Sequence, residues 1–110
     1  MLFCIKFRLR KTFCVKQKAK YFTESEILKM ELSETIGLMQ SADYKERFKA
    51  EYYQIKIRAK KLHDMLVKYE AGTLPFTPSC SLELLKKQHV VMSEYLYLLE
   101  VRAKIEEVDL

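Results

Sequence analysis

Two runs of apolar residues, spaced by alternating steps of three and four, leave this chain few folds to adopt. The first run is Phe48, Tyr52, Ile55, Ala59, Leu62, Leu66 and Tyr69; the second is Leu82, Leu85, His89, Met92, Leu96, Leu99 and Ala103. That spacing keeps side chains on one face of an α-helix. A single loop holding Gly72, Pro75 and Pro78 separates the runs, and its prolines prevent helix from continuing through it. The chain contains only two glycines and two prolines, too little turn material for a many-stranded sheet. The expected fold is all-α: a long antiparallel helical hairpin, with a short additional N-terminal helix and a basic N-terminal arm.

The helix ends are legible too. Asp43 and Glu46 have the spacing of a capping box, which starts the first helix near 43 and lets it run to about 70. Gly72 can take the left-handed conformation that ends it. Ser79 or Ser81 caps the second helix, over about 81–107, with Glu83 near its positive end. At 1.5 Å per residue each helix is roughly 40 Å long. Aligning the runs antiparallel sets Leu66 against Leu85, Leu62 against His89, Ala59 against Met92, Ile55 against Leu96, Tyr52 against Leu99 and Phe48 against Ala103. Small residues then meet large ones, as close packing prefers. Beside this seam Glu51 falls near Arg102, and the two are expected to form an ion pair or to share a ligand.

Three segments follow from composition: a basic arm at 1–22, a short helix and linker at 23–42, and the hairpin domain at 43–110. The formal net charge is +5, but residues 1–20 carry seven Lys/Arg and no acid, so the rest of the chain holds thirteen basic against fifteen acidic side chains. The basic character belongs to the arm and not to the hairpin, so whole-chain charge is no argument for nucleic-acid binding. The arm fits a strand period in Ile5, Phe7 and Leu9, and a helical one in Leu2, Ile5, Leu9 and Phe13. It has three readings: an overextended start, since Met30 and Met39 could each initiate; an appended structural arm; or a basic arm for nucleic acid or anionic membrane. In the second segment Thr23 and Glu26 have capping-box spacing, and Leu28, Leu32, Thr35 and Met39 share a helical face that Gly37 and Gln40-Ser41 end.

The second long helix has more apolar surface than one neighbour covers. Leu84, Val91, Leu98 and Ile105 recur every seven residues, with Tyr95 on the same side. A two-helix hairpin cannot bury both faces. Either the short helix covers the second face or another subunit does, and a self-complementary apolar face favours a homo-oligomer with Leu84, Val91, Tyr95, Leu98 and Ile105 at its interface. Gln88 and Arg102 interrupt this stripe. They bond across that interface, edge into solvent, or line a polar pocket between subunits. Arg58, Lys60 and Lys61 form a solvated face that could also serve an anion. Tyr44, Tyr52, Tyr53, Tyr95 and Tyr97 are packing residues by their type, and any exposed one can stack on a base. The candidate ligand residues are therefore Arg58, Lys61, Gln88, Tyr95 and Arg102.

Catalytic signatures do not appear. There is no G-x-S-x-G, Walker A, G-x-G-x-x-G or H-E-x-x-H pattern. His63 and Asp64 are adjacent on a helix and point about 100° apart, so they form no dyad. His89 faces the seam, and Glu106-Glu107 reads as a solvated pair. Cys4, Cys14 and Cys80 form no C-x-x-C pair, which with no secretory signal suggests free thiols in a reducing cytoplasm. No ligand cluster has metal-binding spacing, and no segment reaches the roughly 20 apolar residues of a membrane span. The expectation is a protein that is not an enzyme and needs no cofactor or metal, with nucleic acid or membrane as partners only if the arm is genuine.

Tyr44-Lys-Glu-Arg47, Lys61-Leu62, Met65, Tyr69-Glu-Ala-Gly-Thr-Leu74, Phe76 and Pro78-Ser-Cys80 lead into Leu84-Leu85, Gln88, Met92, Tyr95-Leu96, Leu99-Glu100 and Arg102-Ala103. Over residues 44–108 this resembles a family of small helical-hairpin proteins of crAss-like and other gut phages and of prophages in gut Firmicutes. Ser81 stands where that pattern has proline. The hairpin is more distantly similar to that of the anti-CBASS and anti-Thoeris sponges, phage anti-defence proteins that hold cyclic nucleotide signals between subunits. The resemblance implies sequestration of a nucleotide second messenger in the cytoplasm of an infected or lysogenic bacterial host. The other reading is a small nucleic-acid- or protein-binding regulatory or structural protein.

Overall fold

The computed structural model describes residues 23–110, so the basic arm at 1–22 and everything expected of it lie outside the described residues. The fold is all-α. Helix α1 covers Glu24–Lys29, a 3-10 turn covers Leu32–Thr35, α2 covers Ile36–Met39, α3 covers Tyr44–Glu70 and α4 covers Leu82–Ile105. Helices α3 and α4 pack as the antiparallel hairpin that the two runs require.

The seam is the expected one up to Leu66, while Tyr69, the last residue of the first run, is exposed beside the loop. Phe48, Tyr52, Ala59 and Leu66 on α3 are buried, as are Leu99 and Ala103 on α4, with Ile55, Leu62, Leu85, His89, Met92 and Leu96 half-buried around them. Ser81 caps α4, its hydroxyl accepting from the Leu84 amide at 3.3 Å. Asp43 caps α3 by accepting from the Lys45 amide at 3.0 Å. The expected Asp43–Glu46 box does not close, because the Glu46 carboxylate is taken by the Ser41 hydroxyl. At the far end of α3, the Gly72 amide donates to Tyr69 O at 3.1 Å and the Thr73 amide to Lys68 O at 2.9 Å. This paired closure needs a left-handed residue, and Gly72 supplies it at φ 74°.

Helix α4 ends in a similar way, with the Val108 amide donating to Ala103 O at 2.8 Å. Here the left-handed residue is Glu107, at φ 55°. A side chain in that region costs roughly 1–2 kcal/mol. Glycine avoids most of that cost, against about 0.5–1 kcal/mol of extra freedom in the unfolded chain. Glu107→Gly is therefore expected to stabilise the fold by about 0.5–1 kcal/mol, read as a rise in the urea midpoint at unchanged slope. A fall in the midpoint would show that the Glu107 side chain contributes more than its backbone strain costs.

The segment before the hairpin departs from expectation. A single helix over 23–40 is replaced by α1, the 3-10 turn and α2. The Thr23–Glu26 capping box forms, with bonds of 3.3 and 2.7 Å. Met30 then takes an extended conformation at φ −67°, ψ 142°. The Glu31 amide donates to Glu34 Oε2 at 2.8 Å and starts a new turn. As a result Ile27 and Met30 are buried along with Thr35 of the expected face, while Leu28 and Met39 of that face are 38% and 49% exposed. The breaks divide the segment into three short pieces, each of which packs against α3. Gln54 of α3 fastens the 3-10 turn, donating to Thr35 Oγ1 at 2.9 Å.

These pieces pack on α3 and make no contact of note with α4. They lie on the side of α3 away from the seam, where Lys49, Ala50, Tyr53 and Ile57 are buried. Helix α3 is thus sandwiched, whereas α4 is covered along one face only.

Candidate functional site

The uncovered face of α4 carries the apolar stripe seen in the sequence. Leu84, Val91, Leu98 and Ile105 are 57%, 55%, 59% and 75% exposed. The short N-terminal helix was one of two possible covers for this face, and it lies on α3 instead. Val90, Tyr97 and Val101 widen the apolar strip, and an open depression of about 540 Å³ runs along it, lined by His89, Val90, Ser93, Glu94, Tyr97 and Leu98. Sequence reasoning assigned Tyr97 to packing. It is exposed because it faces away from both α3 and the N-terminal pieces.

Between the stripe and α3 sits a polar cluster. The Tyr95 hydroxyl donates to the Glu51 carboxylate of α3. Arg102 lies one heptad further along α4, its Nε donating to Glu106 Oε2 at 2.8 Å and its guanidinium sitting 4.8 Å above the centre of the Phe48 ring. The expected Glu51–Arg102 ion pair is not made: Glu106, one turn away on the same helix, captures the guanidinium, and Tyr95 occupies the Glu51 oxygen. The two charges still feel each other. The hydrogen bond to Glu51 holds the Tyr95 phenol above its ordinary pKa, burial and the Glu51 charge add to this, and the Arg102 charge opposes it. The bond to Glu106 in turn raises Arg102, helped by the charge of Glu51.

Of the five candidate ligand residues, the fold brings Tyr95 and Arg102 together around Glu51. Gln88 is exposed one heptad before Tyr95 on the same side of α4. Arg58 is exposed on α3, two helical turns after Glu51 on the same flank, and makes no ion pair among the described residues. Lys61 is set apart: its ammonium donates to Glu31 Oε2 at 2.9 Å, on the side of α3 that faces the N-terminal pieces. Phe48 is a site residue that the ligand reading of the sequence left out, and Glu51, expected to pair with Arg102 or share a ligand with it, was not among the five candidates. Their signal was their place beside the seam opposite Tyr95 and Arg102.

The opposite flank of the hairpin carries a second polar group. Tyr52 donates to Glu100 Oε1 at 2.8 Å and accepts from Lys56 Nζ at 3.1 Å, and burial pushes its phenol above the usual range. The His63 and His89 rings stack at 5.4 Å. Among the described residues, no three His, Cys, Asp or Glu side chains are placed to hold a metal ion, and no helix is long and apolar enough to cross a membrane.

An exposed phenol, a guanidinium and an amide beside a long apolar strip can stack on a heterocycle, pair with a phosphate and accept or donate hydrogen bonds. A family model described as Sequestin matches residues 42–105, the hairpin almost end to end and more than half of the chain. No curated protein and no solved structure gives a significant match.

Proposed function

The chain belongs to the Sequestin family, and on that premise we propose that it is a non-catalytic binding protein that captures a cyclic nucleotide signal and holds it between copies of itself. The family's name denotes sequestration. The resemblance to phage hairpin proteins and to anti-defence sponges supports the setting: a phage or prophage protein in the cytoplasm of a bacterial host, removing an immune messenger. One observation carries the reading. Tyr95 and Arg102 are brought to the edge of an apolar helix face that no other described part of the chain covers. In this arrangement the Tyr95 ring takes the heterocycle, Arg102 and Arg58 take phosphate, and Gln88 and Glu51 read polar edges or ribose hydroxyls.

Thermal shift against cyclic di- and trinucleotides and cyclic ADP-ribose isomers tests this. A ligand present at a hundred times its dissociation constant adds about 2.7 kcal/mol to the native state, which raises the melting temperature of a domain this size by roughly 10 °C or more. Tyr95→Ala and Arg102→Ala are expected to abolish the shift, read against each variant's own unliganded melting temperature. No shift from any member of that panel, with a chain shown to be oligomeric, refutes the proposal.

A further inference from the structure

We infer that two copies of the chain pair through the outer face of α4, antiparallel, in the register that sets Leu84 against Ile105 and Val91 against Leu98 of the second copy. This rests on the sequestration reading only for what the shared site is for; the contact itself is argued from the helix.

The stripe specifies its occupant. Apolar residues at strict seven-residue spacing match a second helix lying along the first, because that repeat keeps one seam facing a partner over its whole length. The stripe spans nearly all of α4, so the partner must be a helix of similar length. Helix α3 is already covered on two sides, and the N-terminal helices have six and four residues. Among the described elements, only α4 of a second copy has both the length and an open apolar face. Leu84, Val91, Leu98 and Ile105 are each more than half exposed, and a stable pairing through them would bury on the order of 800 Å² per partner.

Direction and register follow from the polar residues beside the stripe. Gln88, Tyr95 and Arg102 stand one position toward α3, themselves seven apart. A parallel pairing in register would set Arg102 on Arg102 of the second copy, two like charges drawn out of water in one layer. The antiparallel pairing sets Arg102 beside Gln88 of the second copy instead, at both ends of the contact. Arg102 spends its Nε on Glu106, which leaves its terminal amino groups for the Gln88 carbonyl. The two Tyr95 residues meet at the two-fold axis. Slipping the antiparallel pair by a heptad strands one stripe residue of each copy in water, so this register buries the most. The two Glu94 side chains approach each other on the outer edge, where water and salt screen them. Neither copy alone holds a complete site, because each polar end is built from Arg102 of one and Gln88 of the other.

The test is cysteine cross-linking of the full chain with Cys4, Cys14 and Cys80 changed to Ser. Val91→Cys combined with Leu98→Cys should oxidise to a covalent dimer, while each single variant should not. Within one helix these positions lie about 10 Å apart, too far for an internal disulfide. Cross-linking by each single variant would establish the parallel pairing and overturn the proposal. So would a chain that sediments as a monomer at every concentration, the result expected if residues 1–22 cover the face. In sedimentation, Leu98→Glu should weaken self-association at least a hundredfold with helicity retained. Gln88→Glu should strengthen it about tenfold or more by pairing with Arg102, and Arg102→Ala should remove that gain. No measurement here involves a nucleotide, so a failed ligand panel and a failed dimer are separate outcomes.

Discussion

Leu99→Ala is expected to lower stability by about 3 kcal/mol and the melting temperature by roughly 12–20 °C. Leu99 is 1% exposed and packs in the cluster that joins the seam to the N-terminal pieces, with Phe48, Tyr52, Tyr53, Ile57 and Ala103. The loss depends on how far neighbours can collapse into the space left, and here they are held. Tyr52, opposite Leu99, is pinned by its bonds to Glu100 and Lys56, so its ring cannot follow the receding side chain. The adjacent residue makes the control. Leu98 is 59% exposed, and Leu98→Ala should change the stability of the isolated chain by no more than about 0.5 kcal/mol while weakening self-association. Urea unfolding at low protein concentration checks both. A Leu99→Ala loss under about 1 kcal/mol would place the seam in a different register.

Ile57→Ala should cost about 3 kcal/mol as well, through a different layer. Ile57 is 2% exposed on the side of α3 turned away from α4, where α1, the 3-10 turn and α2 cover it. Truncating it removes apolar contact from three short segments that do not sustain helix on their own, since an isolated helix under about twelve residues is marginal in water. Amide hydrogen exchange should therefore show protection falling over residues 24–39 while that of α4 changes far less. Uniform loss across the chain would mean that the N-terminal pieces and the hairpin unfold as one unit. A neutral Ile57→Ala would mean that they do not cover this position.

Those two residues mark what could be read from the chain. Leu99 belongs to a run whose period is visible without coordinates, and its partner Tyr52 followed from aligning two runs across one loop. Ile57 belongs to no such run. It is buried only because segments distant in sequence fold over it, and the breaks at Met30 and Glu31 that let them do so depend on the surface of α3 that they follow. The polar site was legible in part for a similar reason. Glu51 and Arg102 were identifiable as neighbours from the register, and Tyr95 and Arg102 as sharing one side of α4; the Tyr95–Glu51 contact was found only in the structure. Which hydrogen bonds they make was decided by competition over a few ångströms, won by Glu106 on the same helix and by the Tyr95 hydroxyl. Lys61 looked equivalent to Arg58 in sequence, and only the position of Glu31 separates them.

The sequence alone determines the hairpin, its seam and the glycine that ends its first helix, because each rests on local spacing or on one residue type; that Ser81 and not Ser79 caps α4 was decided by the structure. It also reveals that α4 has two apolar faces. Tertiary structure alone decides which face stays open. The N-terminal pieces could have covered either long helix, and they lie on α3, where Ile57, Tyr53 and Thr35 are buried together. That choice leaves Leu84, Val91, Leu98 and Ile105 in water with Tyr95 and Arg102 at their edge. Covering α4 instead would have hidden the surface on which the proposed capture of a nucleotide depends.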